Sequence, residues 1–374
     1  MHYGVTATVD LNAIAANYRL LKARAPLANM AGVIKANGYG LGAKEVAAAL
    51  KACGCKTFYV AIYDEALGLR AAFADERIAV LGGIPPGMEE DAWAKNITPV
   101  INDLASLLRM RECAKKNGRK IDIILHVDTG MNRLGLDASE WKTFCENPQL
   151  TQGLNLSLVM SHLACSDEWA HPMNRQQLER FKALTAAFPQ TKKSFANSCG
   201  ILLGGDFHFD ECRPGRALFG TDLMDEFATK LAPAVRLEAP ILMVRLIDSD
   251  GSVGYSATQR VRKGARLATL SAGYADGLLR SLSHSDQRQP CHFYLGEHKA
   301  PLAGRVSMDL IVIDVSQIPA EIAHPGAMVE IAGPHQTMDA LAQAAGTIGY
   351  ELLTHIAPRV KKVYTPLVSQ MQAA

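Results

Sequence analysis

Short apolar runs alternate with longer helical patterns through the first two thirds of the chain, and few folds accept that order. The strand-like runs are Ala31–Ala36, Thr57–Ala61, Ile78–Gly82, Thr98–Ile101, Ile121–Val127, Leu154–Ser161, Lys193–Asn197 and Glu211–Gly220, the last broken by Pro214-Gly215. Each is too short for a helix and is bounded by turn residues. Helical patterns fall between them, for example at Ala43–Cys53, Leu104–Lys116 and Asn174–Phe188. Eight such units over about 210 residues predict a (β/α)8 barrel, for which roughly 250 residues is typical. The alternation alone also fits a doubly wound open sheet. After Arg236 the texture changes. Ile241–Ile247, Arg266–Leu270, Cys291–Leu295, Leu310–Val315 and Met328–Ile331 read as strands with little helix until Asp339–Ala345 and Glu351–Ile356. The expected organisation is therefore α/β: a barrel domain over residues 1–236 and a mostly β domain over 237–374.

A barrel locates its chemistry at the C-terminal ends of its strands. Reading those ends gives Lys35 after the first strand and Arg133 just beyond the fifth. The sixth delivers Ser161-His162, the seventh Asn197-Ser198 and the eighth Arg213-Pro214-Gly215. Lys35 opens the run Lys35-Ala36-Asn37-Gly38-Tyr39-Gly40-Leu41-Gly42. A lysine emerging from an apolar strand is partly desolvated, so its neutral amine is more available as nucleophile or base. The glycines permit a sharp turn and close approach of a ligand. Their Gly-x-Gly-x-Gly spacing is neither the dinucleotide fingerprint nor a P-loop. Taken singly, each residue has a plain structural reading: a snorkelling lysine, a salt-bridged rim arginine, a core histidine. Their convergence on one rim is the informative observation.

Composition excludes several function classes. A net charge of +2 gives no reason to expect nucleic acid or an anionic membrane as partner. The densest basic cluster, Lys115-Lys116-Asn117-Gly118-Arg119-Lys120, suits a helix C-terminus, where cations favour the dipole. The eight cysteines are scattered and complete no zinc pattern, so no metal site is expected. In a chain of this size they read as reduced thiols of a cytoplasmic protein. No apolar run approaches the length of a membrane span.

Seven segments, in order, resemble those of the alanine racemases, pyridoxal 5'-phosphate (PLP) enzymes of barrel-plus-β-domain architecture. They are Val33–Gly42; Val127–Gly135 (Val-Asp-Thr-Gly-Met-Asn-Arg-Leu-Gly); Ser161-His162-Leu163-Ala164; Ala196-Asn197-Ser198; Arg213-Pro214-Gly215; Ser271–Gly277 (Ser-Ala-Gly-Tyr-Ala-Asp-Gly); and Gly304–Asp309 (Gly-Arg-Val-Ser-Met-Asp). The resemblance implies that Lys35 binds PLP covalently and is one of two proton-transfer bases. It implies a phosphate cradle from Tyr39, Ser198 and the backbone at Gly215–Arg216. Arg133 resembles the arginine on the PLP phenolic oxygen, and Arg213 the one facing the pyridine nitrogen. A guanidinium only donates, so that nitrogen stays unprotonated and the cofactor is a weaker electron sink. This favours simple reprotonation over transamination or elimination.

The second base implied is Tyr274, reaching in from a partner subunit. A tyrosine with a pKa of about 10 is a poor base unless its phenolate is stabilised, and His162 is the implied tuner. Met308, also from the partner, would offer its backbone N–H to the substrate carboxylate. A shared site implies a homodimer. The activity implied is interconversion of L- and D-alanine, supplying D-alanine for peptidoglycan. A broader racemase acting on serine or other small amino acids is the alternative. Three departures from the family pattern stand out. His126 occupies the place of a carbamylated lysine, so a bound anion such as chloride, or nothing, is expected there. Ser194 stands where many relatives have a histidine supporting the pyridine-facing arginine. Pro358 stands where a phosphate-touching tyrosine is expected.

Overall fold

A computed structural model describes residues 3–221, 231–286 and 291–368. Its barrel strands are Thr57–Val60, Arg77–Val80, Ile97–Ile101, Ile121–His126, Leu154–Met160, Lys192–Ser194 and Glu211–Cys212, preceded by a first strand in two pieces, Asn29–Met30 and Gly32–Val33. All neighbours are parallel. The break at Ala31 is where the ring closes. Asn29–Met30 pairs with Glu211–Cys212, whereas Gly32 and Val33 pair with Phe58 and Tyr59. One strand thus has the last strand on one side and the second on the other. An open doubly wound sheet would leave two edges, so that alternative is excluded. Ala31, Val33, Tyr59, Ala79, Val100, Ile124, Leu158 and Met160 form a buried cluster of their own, and every one of them is a strand residue except Ala31 at the break. They fill the barrel, while the alternate strand residues pack outward against the helices.

The helices begin and end where the side chains dictate. Leu104–Asn117 starts after Asp103, whose carboxylate accepts from Ser106 N at 2.6 Å, and stops at Gly118 in the left-handed conformation. Lys115 and Lys116 occupy its last turn, so the basic cluster terminates a helix.

The second domain is built on an eight-stranded sheet, with a separate two-stranded ribbon of Gly251–Val253 and Gln259–Val261. Its spine is the 12-residue strand Val235–Leu246, antiparallel to Arg266–Leu270 and Met328–Ala332. The strand Thr6–Val9 also lies here, antiparallel to Val235–Glu238 and parallel to Lys361–Tyr364. The expected division at 236/237 falls just inside the strand Val235–Leu246, and the residues before the helix Leu11–Arg24 also belong to the second sheet. Asp10 marks the crossing. Its carboxylate caps that helix through Asn12 N and Ala13 N, and accepts from Thr365 Oγ1 at 3.0 Å. Thr6–Val9 and Lys361–Tyr364 are thus both sewn into the second domain, and one buried apolar core runs through the two domains. Among the described residues no helix is long and apolar enough to cross a membrane, and no group of metal-type ligands comes together.

Candidate active site

The first strand ends at Val33, short of the expected Ala36, because the backbone winds left-handed directly after Lys35. Ala36 (φ 52°, ψ 49°), Asn37 (53°, 49°) and Gly38 (63°, 44°) are consecutive left-handed residues, followed by Tyr39 at φ 54°. Each non-glycine there costs about 1–2 kcal/mol. The turn is held by Gly38 N to Ile34 O (2.9 Å), Gly40 N to Ala36 O (2.8 Å) and Gly42 N to Asn37 O (2.9 Å). Asn37 ties it down further: its N–H donates to Glu65 Oε1 at 3.2 Å and its side-chain oxygen accepts from Ala43 N at 3.0 Å. Such strain persists only where surroundings over-determine it, and it marks functional sites.

The turn borders a cavity of about 470 Å³ at the C-terminal mouth of the barrel. Lys35, Tyr39, Arg133, His162, Ser198, Arg213, Gly215 and Arg216 all line it. Burial pulls the Lys35 ammonium below the usual lysine range, with Arg133 adding to the effect and Glu65 opposing it. Arg213 is fully buried at the inner end. One Nη donates to Ser161 O at 2.6 Å and the other to Ser194 Oγ, so Ser194 supports it in place of a histidine. Ser198 Oγ accepts from Gly215 N (2.9 Å) and Ala217 N (3.3 Å). Gly215 admits Tyr39: a Cβ on residue 215 would stand 2.4 Å from the Tyr39 hydroxyl oxygen. Arg133 is presented by the loop after the fifth strand, which folds around Asp128. That carboxylate gathers the N–H groups of Gly130, Met131 and Asn132.

His126 is buried against this wall with Nδ1 2.8 Å from Asn102 Oδ1. The Asn102 amide nitrogen faces the carbonyls of Leu81 (2.9 Å) and Val100 (3.5 Å), which can only accept. Asn102 must therefore present its oxygen to His126, whose Nδ1 donates. Burial, then Arg213 and Arg133, hold the imidazole neutral, pushing its pKa down to about 3 against the opposing pull of Asp128. His162 is likewise driven well below the ordinary histidine range, by burial first and then by Arg213.

Two of the expected site residues lie elsewhere. Tyr274 and Met308 stand on the second domain, 44% and 54% exposed, and do not line the cavity of their own chain. They are held side by side, Tyr274 N on Ser307 O and Ala275 N on Met308 O, both at 3.0 Å. Gly273 makes that approach possible, since a Cβ there would meet Met308 O at 2.2 Å. Arg359 clamps the same corner by ion pairs to Asp276 (2.7 Å) and Asp309 (2.8 Å). Several lining residues were overlooked in the sequence, Tyr350 foremost among them. Tyr350 lines the mouth with its ring 5.4 Å below the Arg216 guanidinium. Pro358 is exposed and does not line the cavity, so the supposed loss of a tyrosine there removes nothing from it. The signal was Gly349-Tyr350 at the start of the helix Gly349–His355, which meets the Lys35–Tyr39 turn.

The family profile for the alanine racemase N-terminal domain matches residues 9–222, and that for the alanine racemase C-terminal domain matches residues 234–364. The chain belongs to the alanine racemase family. An alanine racemase from Acidiphilium cryptum is 46% identical over 96% of the chain and 98% of its own length. A catabolic alanine racemase from Agrobacterium fabrum is 41% identical over 96% of the chain and 91% of its own length. Among solved structures, the Bartonella henselae alanine racemase with covalently bound pyridoxal phosphate superposes with a TM-score of 0.91 at 39% identity, covering 97% of this chain and 99% of that one. The first profile ends and the second begins on either side of residues 223–233, close to the expected boundary, while residues 6–8 precede both although they belong to the second sheet.

Proposed function

We propose that this chain is an amino-acid racemase that interconverts L- and D-alanine with PLP, acting as a homodimer. The observation that carries the reading is the cavity's polarity. It has a lysine with a depressed pKa at the mouth and a guanidinium, not a carboxylate, at the inner end. The residues fit PLP. Tyr39, Ser198 and the backbone at Gly215–Arg216 surround the place where neutral donors would take a phosphate, and Gly215 leaves room that a side chain would fill. Tyr350 and Arg216 close that end. The cavity volume accommodates a cofactor with a small amino acid.

When bound, the cofactor withdraws electrons from the substrate's α-carbon. The protein's part is placement of protons. Lys35 takes or returns a proton on one face, where a neutral amine is required. Tyr274 serves the other face. Because it lies outside its own chain's cavity and is half exposed, a second copy must deliver it, together with Met308, whose N–H would hold the substrate carboxylate. Arg213 would donate to the ring nitrogen and so keep it unprotonated, and Arg133 would hold the phenolic oxygen. His162, which burial holds neutral in the cavity, would accept from the incoming tyrosine.

That all eight cysteines stand as thiols rather than in disulfides accords with a cytoplasmic enzyme, and supply of D-alanine to peptidoglycan is the role we assign. Chiral product analysis over a panel of small amino acids, with PLP added, tests the reading. Equilibration of L- and D-alanine faster than serine is expected. Release of carbon dioxide, or no exchange of the α-proton, would sink it. Serine turned over as fast as alanine would instead favour the broader racemase.

A further inference from the structure

Glu211 is a buried carboxylate that the reaction above does not use. It stands on the last barrel strand two residues before Arg213, and only 5% of its surface is exposed. Its Oε1 accepts from the Tyr59 hydroxyl at 2.6 Å. Tyr59 is fully buried inside the barrel, and its ring lies 6.0 Å from the Arg213 guanidinium. A second route joins the same two residues. Arg213 donates to Ser194 Oγ, and Ser194 Oγ donates in turn to Glu211 O at 2.6 Å. Main chain and side chain of Glu211 thus both reach Arg213, one through Ser194 and the other through Tyr59. The remaining charges that act on this carboxylate are Arg77, whose Nη2 is bound to Ser157 Oγ, and Lys192. Arg213 itself contacts no carboxylate among the described residues: its hydrogen bonds go to a hydroxyl and a carbonyl.

A neutral filler would serve packing here better than a carboxylate, which costs several kcal/mol to desolvate and is worth keeping only if its charge is used. We propose that Glu211 is a positioning residue for Arg213: through Tyr59 and Ser194 it fixes the guanidinium at the inner end of the cavity, and its negative charge offsets the arginine's. This rests on the PLP reading of that cavity. Burial raises the Glu211 pKa on balance, against the downward pull of Tyr59, Arg213, Arg77 and Lys192, so the competing possibility is a protonated, uncharged Glu211 that only fills space.

The test is a pH titration of the absorbance of bound PLP in the full-length protein, for the wild type, Glu211→Gln, Glu211→Asp and the double variant Tyr59→Phe/Glu211→Leu. Glu211→Gln keeps the acceptor for Tyr59 and removes only charge. The double variant removes donor and acceptor together and leaves no orphaned group, so it carries the test if Glu211→Gln does not fold. A unit charge roughly 10 Å away at an effective dielectric of about 20 moves a titration by about one unit. Loss of the negative charge leaves Arg213 uncompensated, which disfavours a protonated chromophore. We therefore expect both charge-removing variants to titrate about one unit lower than the wild type, and Glu211→Asp to stay close to it. Arg133, Glu65, His126 and His162, which share the surroundings of Lys35, are untouched by these changes. Curves that superimpose on the wild type overturn the proposal and leave the pair as packing. A wild type that gives no PLP chromophore overturns the cofactor reading, and the proposal with it.

Discussion

Gly215→Ala adds a single methyl group where the structure has none to spare. An ideal Cβ at residue 215 lies 2.4 Å from Tyr39 Oη, 3.2 Å from its Cζ and 3.5 Å from its Cε2. Restoring ordinary contact to the hydroxyl requires a shift of about 1 Å. The ring cannot easily give way, because Phe219 packs against it, tilted by 39° with ring centroids 4.8 Å apart, and its backbone is fixed in the left-handed turn. Overpacking of this kind costs about 1–3 kcal/mol. In the empty protein a limited shift of the Tyr39 ring sheds part of that strain. Binding a phosphate between Tyr39, Ser198 and the Gly215 backbone calls it back, so the penalty falls on affinity. At about 1.4 kcal/mol per factor of ten, PLP should bind roughly tenfold more weakly, and up to about a hundredfold if no relaxation occurs. Titrating apoprotein with PLP and following absorbance measures this directly. Gly251→Ala is the control, since nothing lies within 4 Å of a Cβ there. If Gly215→Ala bound PLP like the wild type while the control did too, the phosphate would not sit against Gly215 and the cradle would be misplaced.

Other predictions read different parts of the molecule. Mixing Lys35→Ala with Tyr274→Phe should restore activity that neither variant has alone, because a hybrid dimer contains one site with both bases intact; no recovery after subunit exchange would argue against a shared site. Tyr350→Ala removes the ring under Arg216 and should weaken PLP binding several-fold, in line with a cation–π contact of about 1 kcal/mol, whereas Pro358→Tyr should leave it unchanged. His126 has a folded-state pKa of about 3 against an ordinary 6.5, so between those values the unfolded chain holds a proton that the folded one lacks. Stability should then fall as pH drops from 6.5 toward 3, by up to about 1.4 kcal/mol per pH unit from this group. His126→Gln should flatten that slope in denaturant titrations, and an unchanged slope would show that the histidine is protonated in the fold.

The barrel was legible because its strands are buried on both faces and announce themselves as apolar runs; Arg266–Leu270 in the second domain was read to the residue. Thr6–Val9 was not, because four residues of alternating Thr, Ala, Thr and Val carry no sign that their partners lie at Val235 and Lys361, more than two hundred positions away. His298–Ala303 was hidden by Pro301, which reads as a turn but sits opposite His292 in a strand. At the site, the resemblance supplied residue types at strand ends, and these meet in one cavity. It misplaced the tyrosine of the mouth, since Tyr350 lies in the first turn of the helix Gly349–His355 and Pro358 just beyond its end, and only three dimensions say which of them faces in. The Glu211–Tyr59 pair gave no signal, for a carboxylate in a strand of apolar neighbours resembles an exposed residue until the strand is closed into a ring.

The left-handed turn explains why the two domains cannot be treated separately. Ala36, Asn37 and Tyr39 together carry about 3–6 kcal/mol of backbone cost, which hydrogen bonds within the turn offset only in part. The rest of the constraint comes from outside the barrel. Gly40 lies so close to the helix Gly349–His355 that a Cβ would meet Leu353 O at 2.2 Å, and Gly42 is covered by the Tyr364 hydroxyl at 2.3 Å from the same construction. Tyr364 belongs to the strand that pairs with Thr6–Val9, at the seam between the chain's two ends. The conformation that sets Lys35 at the cavity and Tyr39 against Gly215 is therefore stabilised by the β domain of the same chain. That domain also carries Tyr274 on an exposed corner, so in the dimer we propose it would have a second duty beside bracing its own lysine: offering a base to another cavity.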